Sequence, residues 1–140
     1  MTHAAFALVT LLVPDVRPAT VRLFALLNVG GFAPALRAGL IVVITSSEEV
    51  IFRGALLGPP AKDQEGLLHG VDRGDLLRVL ALAVGYSLAM VTLGSGLLIV
   101  GAFGCAVLWA GLRVATRSLV VPIIAHVIWD LGVLVVWPLV

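Results

Sequence analysis

Glu48, Glu49 and Arg53 lie inside one of the most apolar stretches of this chain, and His126 and Asp130 lie four apart inside another. A charge held at the centre of a bilayer costs a few kcal/mol or more on most scales. Five ionisable groups in two such runs must therefore pair with one another or carry out chemistry. Any fold proposed for the chain has to bring these groups partners from elsewhere in the sequence.

Composition supplies the setting. Of the 140 residues, 61% are hydrophobic and 12% charged, and the mean hydropathy is +1.15. Soluble domains are nearer half apolar and a quarter charged. The expected class is an all-α, polytopic transmembrane bundle of about five or six helices, folded as a single domain over 1–140. Roughly 20 residues per crossing leave room for that number. A net charge of +1 gives no basic surface for nucleic acid, so the expected surroundings are membrane lipids. Cys105 is the only cysteine, which rules out an intrachain disulfide.

Charges, prolines and glycines divide the chain. An apolar run at 3–13 ends at Pro14-Asp15 and is short for a span. A cleaved signal peptide is the competing reading, and it lacks a basic stretch ahead of the run. Further apolar stretches cover 19–34, 35–57, 76–93, 97–112 and 119–140, with a polar loop at 58–75. Pro59-Pro60 is expected to end the helix before that loop. Gly94-Ser95-Gly96 reads as a tight turn and Arg113 to Ser118 as a basic one. Lys62, Arg73, Arg78, Arg113 and Arg117 fall by helix parity on one side, with Arg17 and Arg22. That side is expected to be cytoplasmic by the positive-inside rule, with Arg37 as the exception. Gly101 and Cys105 form a small-x-x-x-small step suited to close helix contact. Trp109 and Trp137 suit interface anchors, and Trp129 suits packing.

On a helix Glu49 and Arg53 share a face, while Glu48 points about 100° away. One carboxylate can then be neutralised by the arginine while the other meets a different neighbour. A structural Glu–Arg clip explains Glu49 and Arg53 but leaves Glu48 without a partner. Thr45, Ser46 and Ser47 are expected to bond back to carbonyls one turn earlier or to loosen the helix. His126 and Asp130 also share a face. An imidazole can ligate a divalent metal, and a carboxylate can ligate it or orient the ring. Together with Glu48, this inventory suits metal-assisted hydrolysis, in which a divalent metal such as zinc lowers the pKa of bound water and a carboxylate acts as general base. Glu48 and His126 are then expected to converge in one intramembrane cavity, because reacting groups must reach one substrate atom.

At these residues the sequence resembles a known family. Glu48-Glu49-Val50-Ile51-Phe52-Arg53 has the form of the glutamate–glutamate–three–arginine motif of the CPBP intramembrane proteases. These comprise the type II CaaX prenyl endopeptidases and the bacteriocin-processing and self-immunity (Abi) proteins. Arg117 to His126, followed by Asp130, looks like the family's last motif, and the glycine-spaced helix from Gly101 to Gly111 is similar too. The resemblance covers about 36–136. It implies a helical bundle around a cytoplasm-facing cavity in the plasma (inner) membrane, and metal-dependent cleavage of a peptide or prenylated peptide. It casts Glu48 as the base, Glu49 and Arg53 as its support, and His126 and Asp130 as the metal or transition-state wall. One position departs from the pattern. The family's middle motif is an aromatic followed four later by histidine, and here Tyr86 is followed by Met90. Methionine is a poor zinc ligand, and His69 sits in the polar loop. The alternative is therefore a catalytically silent relative serving as an immunity or scaffold protein. A third reading is a channel or transporter subunit whose acidic pair handles ions or protons.

Overall fold

The computed structural model describes residues 7, 10, 11, 16–27, 33–58 and 73–136. They form five helices with no strand among them. Helix α1 is Val16–Leu27. Helix α2 is Pro34–Glu49 and runs on without a break into a π-helical segment, Val50–Leu56. Helix α3 is Arg73–Ala89, tightening to a 3₁₀ turn at Met90–Leu93. Helix α4 is Gly96–Thr116, and α5 is Val120–Leu131, widening to a π segment at Gly132–Val136. The run at 3–13, Pro59-Pro60, nearly all of the polar loop with Lys62 and His69, and Trp137 lie outside the described residues.

Local chemistry sets the ends. Pro34 opens α2, where its missing N–H is not needed. Gly94, at φ 69°, stops the 3₁₀ turn, and the Ser95 side chain then caps α4 by accepting from the Leu98 amide. The turn at Gly94-Ser95 is thus as the sequence indicates. The basic turn is not. Nothing in Arg113 to Thr116 breaks a helix, so α4 continues to Thr116 and ends only at Arg117, which takes a left-handed φ of 55°. Arg113 is consequently a buried residue of the last turn of α4, not a loop arginine.

Two antiparallel pairings organise the helices. In α2 and α5, the Arg37 guanidinium donates to the Leu134 carbonyl at 2.5 Å, Thr45 meets Asp130, Glu49 meets His126, and Gly54 faces Leu119. Residue numbers rise on one helix as they fall on the other, which fixes the register along the whole pairing. Arg37, the exception to the charge asymmetry, thus satisfies a carbonyl at the end of α5. In α3 and α4, Val79 and Leu82 pack with Ala110, and Ala83 and Tyr86 with Ala102 and Ala106. Helix α1 lies on α4.

The close face of α4 is one residue round from the step expected. Ala102, Ala106 and Ala110 are buried, while a side chain added at Gly101 would meet nothing within 4 Å. Alanine at every fourth position lets α3 approach closely without glycine's entropic penalty. Outside this interior the surface is apolar. Leu77, Val84, Val100, Leu108 and Ile128 are exposed, whereas the largest fully buried side chains include Arg53 and Glu49. This inverts the usual soluble pattern. Arg73–Leu93 and Gly96–Thr116 are each long and apolar enough to cross a membrane.

Ala106→Leu should force α3 and α4 apart and lower stability by about 1–3 kcal/mol, the usual range for overpacking. Gly101→Ala should change it by less than about 0.5 kcal/mol or raise it. Thermal unfolding in detergent distinguishes the two, and equal losses would return the contact to Gly101.

Candidate active site

The two adjacent glutamates have separate partners. Glu49 and Arg53 both have no exposed side-chain surface, and Arg53 Nη1 lies 3.0 Å from Glu49 Oε1. The same oxygen lies 2.7 Å from His126 Nδ1. An ionised carboxylate only accepts, so Nδ1 carries the proton in this contact. Arg53 Nη2 also reaches the Ala106 carbonyl at 3.4 Å, and its guanidinium carbon stands 5.2 Å from the centre of the Tyr86 ring. Phe52 meets the same ring edge-on at 4.9 Å. Glu48 points elsewhere and accepts from the Tyr86 hydroxyl at 2.7 Å. It remains partly exposed, unlike Glu49.

The backbone carries this motif across a change in helix type, since Glu49 closes the α-helical part of α2 and Arg53 lies in the π-helical part. The wider i→i+5 turn still leaves the pair in contact. Leu119 packs against Gly54 there. A side chain added at Gly54 would come within 3.3 Å of its Cδ2.

On α5, His126 is buried and Asp130 partly so. The second ring nitrogen, Nε2, lies 3.5 Å from Asp130 Oδ2, and Thr45 donates to that same oxygen at 2.8 Å. Of the hydroxyls before the acidic pair, Ser47 bonds back to the Val43 carbonyl as anticipated, but Thr45 crosses to α5. Trp109 is not an interface anchor. It is buried and stacks on the His126 ring at 5.4 Å with 27° between planes, and Trp129 meets it edge-on at 6.4 Å. Met90 packs against the cluster of Ala83, Tyr86, Ala102 and Ala106.

The residues singled out in the sequence thus come together, with one exchange of roles. Glu49, not Glu48, meets His126. Two concavities among the described residues lie beside Leu57 and Arg78. Tyr86 and Trp109 contribute contacts that the motifs do not announce. The one local signal was a tyrosine at the middle motif's aromatic position, because it brings a hydroxyl into an apolar helix.

A zinc centre does not fit this arrangement. Among the described residues, no three histidine, cysteine, aspartate or glutamate side chains are grouped to hold a metal ion. The reason lies in the donors. Arg53 and His126 share one oxygen of Glu49, Tyr86 holds one oxygen of Glu48, and Met90 offers only a thioether, which leaves His126 Nε2 and the Asp130 carboxylate as a set of two residues. Glu49 Oε2 is buried and without a hydrogen bond among the described residues, but it is a single donor atom.

A helical protein with a charged, hydrogen-bonded centre and an apolar exterior is the class that fold and site define. The family model that matches, described as type II CAAX prenyl endopeptidase Rce1-like, covers residues 18–132, and the chain belongs to that family. No match was found among curated proteins or among solved structures.

Arg53→Ala should lower stability by about 3–5 kcal/mol, because it leaves Glu49 buried without its cation. Adding Glu49→Ala should recover part of that loss. A double-mutant cycle on folded yield and unfolding temperature reads the coupling, and losses that simply add would show none.

Proposed function

We propose that the chain is an integral membrane endopeptidase that cleaves a prenylated peptide, with Glu48 as the base that activates water. The observation that carries this reading is the division of labour between the two carboxylates. Glu49 is sealed by Arg53 and His126, while Glu48 is partly accessible and, among the described residues, accepts a hydrogen bond from Tyr86. Glu48 is therefore the group able to take a proton from a water molecule. That water attacks the peptide carbonyl carbon as Glu48 accepts its proton. The tetrahedral adduct then breaks its C–N bond, and the proton on Glu48 passes to the leaving amine. The Tyr86 hydroxyl holds one Glu48 oxygen, which orients the other. His126 and Asp130, fixed by Glu49 and Thr45, form the facing wall. No step is routed through a metal. Arg73 and Arg117 lie at one end of the bundle, and we read that end as cytoplasmic and the membrane as the plasma (inner) membrane.

A specific observation favours a second reading. Met90 stands where the family's middle motif has histidine, and it serves as a packing residue. A silent member acting as an immunity or scaffold protein keeps the Glu49–Arg53–His126 contacts for stability alone.

In proteoliposomes given a fluorogenic prenylated peptide, Glu48→Gln should lower turnover by about 10²- to 10⁴-fold with the unfolding temperature unchanged. Wild-type turnover in Glu48→Gln would remove Glu48 as the base. No turnover in the wild type, with a gain in Met90→His, would establish the silent reading. Zinc content of the same samples gives the metal an independent readout. The wild type should hold little, and Met90→His should hold more.

A further inference from the structure

At the arginine-bearing end of the bundle, away from the glutamates, two adjoining concavities lie between the end of the π segment and α3, the first of them reaching α4 as well. One is lined by Asp75, Arg78 and Arg113 together with Leu57. The other shares Leu57 and Arg78 but continues over Leu56, Ala81 and Leu82, which are all apolar. Arg113 is only 8% exposed, and among the described residues its Nε and Nη1 find no hydrogen-bond partner. A guanidinium keeps its charge under all ordinary conditions, so burying it unpaired is strongly unfavourable. Asp75 does not supply the missing charge, since its carboxylate faces Arg78 across the mouth at 3.8 Å. The other nitrogen of the Arg78 fork donates to the carbonyl of Leu57, the residue just past the π segment. Among the described residues, two arginines and one aspartate leave this pocket with one net positive charge, for which an anion is the complement.

The second concavity says what kind of anion. The basic pocket opens onto an apolar groove at the end of helices whose outer faces are bare leucine, with Leu56 and Leu77 both more than 60% exposed. A free inorganic anion uses only the first half of this surface. A molecule with a phosphodiester and an acyl chain uses both. Basic pockets between helices near a membrane surface are suited to lipid head groups, and arginine's planar fork matches phosphate oxygens.

We propose that this is a binding site for an anionic phospholipid, its phosphate at the mouth of the basic pocket beside Arg78 and over the buried Arg113, and one acyl chain along Leu56, Ala81 and Leu82. The bound lipid neutralises Arg113 and ties the end of α4 to the junction between the π segment and α3. The site is independent of whether the chain is a peptidase.

The test uses the full chain, purified in a neutral detergent and stripped of lipid. Phosphatidylglycerol, phosphatidylcholine and inorganic phosphate are added separately, and unfolding temperature and lipid retention by native mass spectrometry are read. Phosphatidylglycerol should raise the unfolding temperature by roughly 5 °C near saturation, phosphatidylcholine should raise it less, and inorganic phosphate should leave it nearly unchanged. Arg113→Gln should abolish the difference between the two lipids. If that variant does not fold, Arg78→Gln at the half-exposed rim should weaken retention of phosphatidylglycerol several-fold. Equal responses of wild type and both variants would overturn the site. Stabilisation by inorganic phosphate as large as by phosphatidylglycerol would overturn the lipid as its occupant.

Discussion

The Glu49 carboxylate, shared between Arg53 and His126 with none of its side chain exposed, is the contact on which the rest of the structure depends. Desolvating either ion alone costs several kcal/mol, so neither residue is tolerable without the other. Satisfying them needs groups from three helices. Arg53 is on the same strip as Glu49, His126 comes from α5, and the carbonyl of Ala106 from α4. The alanine column that permits α4 to come so near, and the Arg37–Leu134 and Thr45–Asp130 contacts that hold the α2–α5 register, follow from the same requirement.

That arrangement separates a structural carboxylate from an available one. Two neighbouring residues on a helix project about 100° apart, so one can be sealed inside while the other faces the tyrosine of α3. Charge balance and reactivity thereby fall to different residues. Sealing Glu49 also fixes the imidazole of His126, which Trp109 backs by stacking. The consequence for metal chemistry is equally direct. One oxygen of Glu49 is taken by Arg53 and His126 and one oxygen of Glu48 by Tyr86, and Met90 supplies no nitrogen. The family to which the chain belongs fixes the type of membrane protein, while the particular side chains at 49, 86, 90 and 126 decide what the centre can do.

Buried cations organise both ends of the molecule, but by different means. Arg53 has a carboxylate from its own helix. Arg113 has no such partner among the described residues and faces a pocket instead. Mutual neutralisation makes the glutamate centre self-contained, whereas Arg113 finds no counter-charge among the described residues.

The sequence by itself determined the helical class, the main breaks and the set of residues that had to find partners. Hydropathy reports burial in lipid or protein, and charges inside apolar runs are unfavourable wherever they fall, so Glu48, Glu49, Arg53, His126 and Asp130 stand out without any structure. The spacing of Glu49 and Arg53 also fixed their pairing, because contacts within one helix depend only on the helical repeat. Contacts between helices depend on rotation and register, and those belong to the tertiary structure. It alone decided that His126 meets Glu49 and not Glu48, that Tyr86 holds Glu48, and that Trp109 stacks inside instead of anchoring at an interface. It likewise moved the close face of α4 from Gly101 to Ala102, Ala106 and Ala110, a rotation of one residue that no spacing rule distinguishes. Arg113 was read as a turn because basic residues mark loops on average. In the fold, no helix breaker precedes Arg117, and the helix carries Arg113 into the interior.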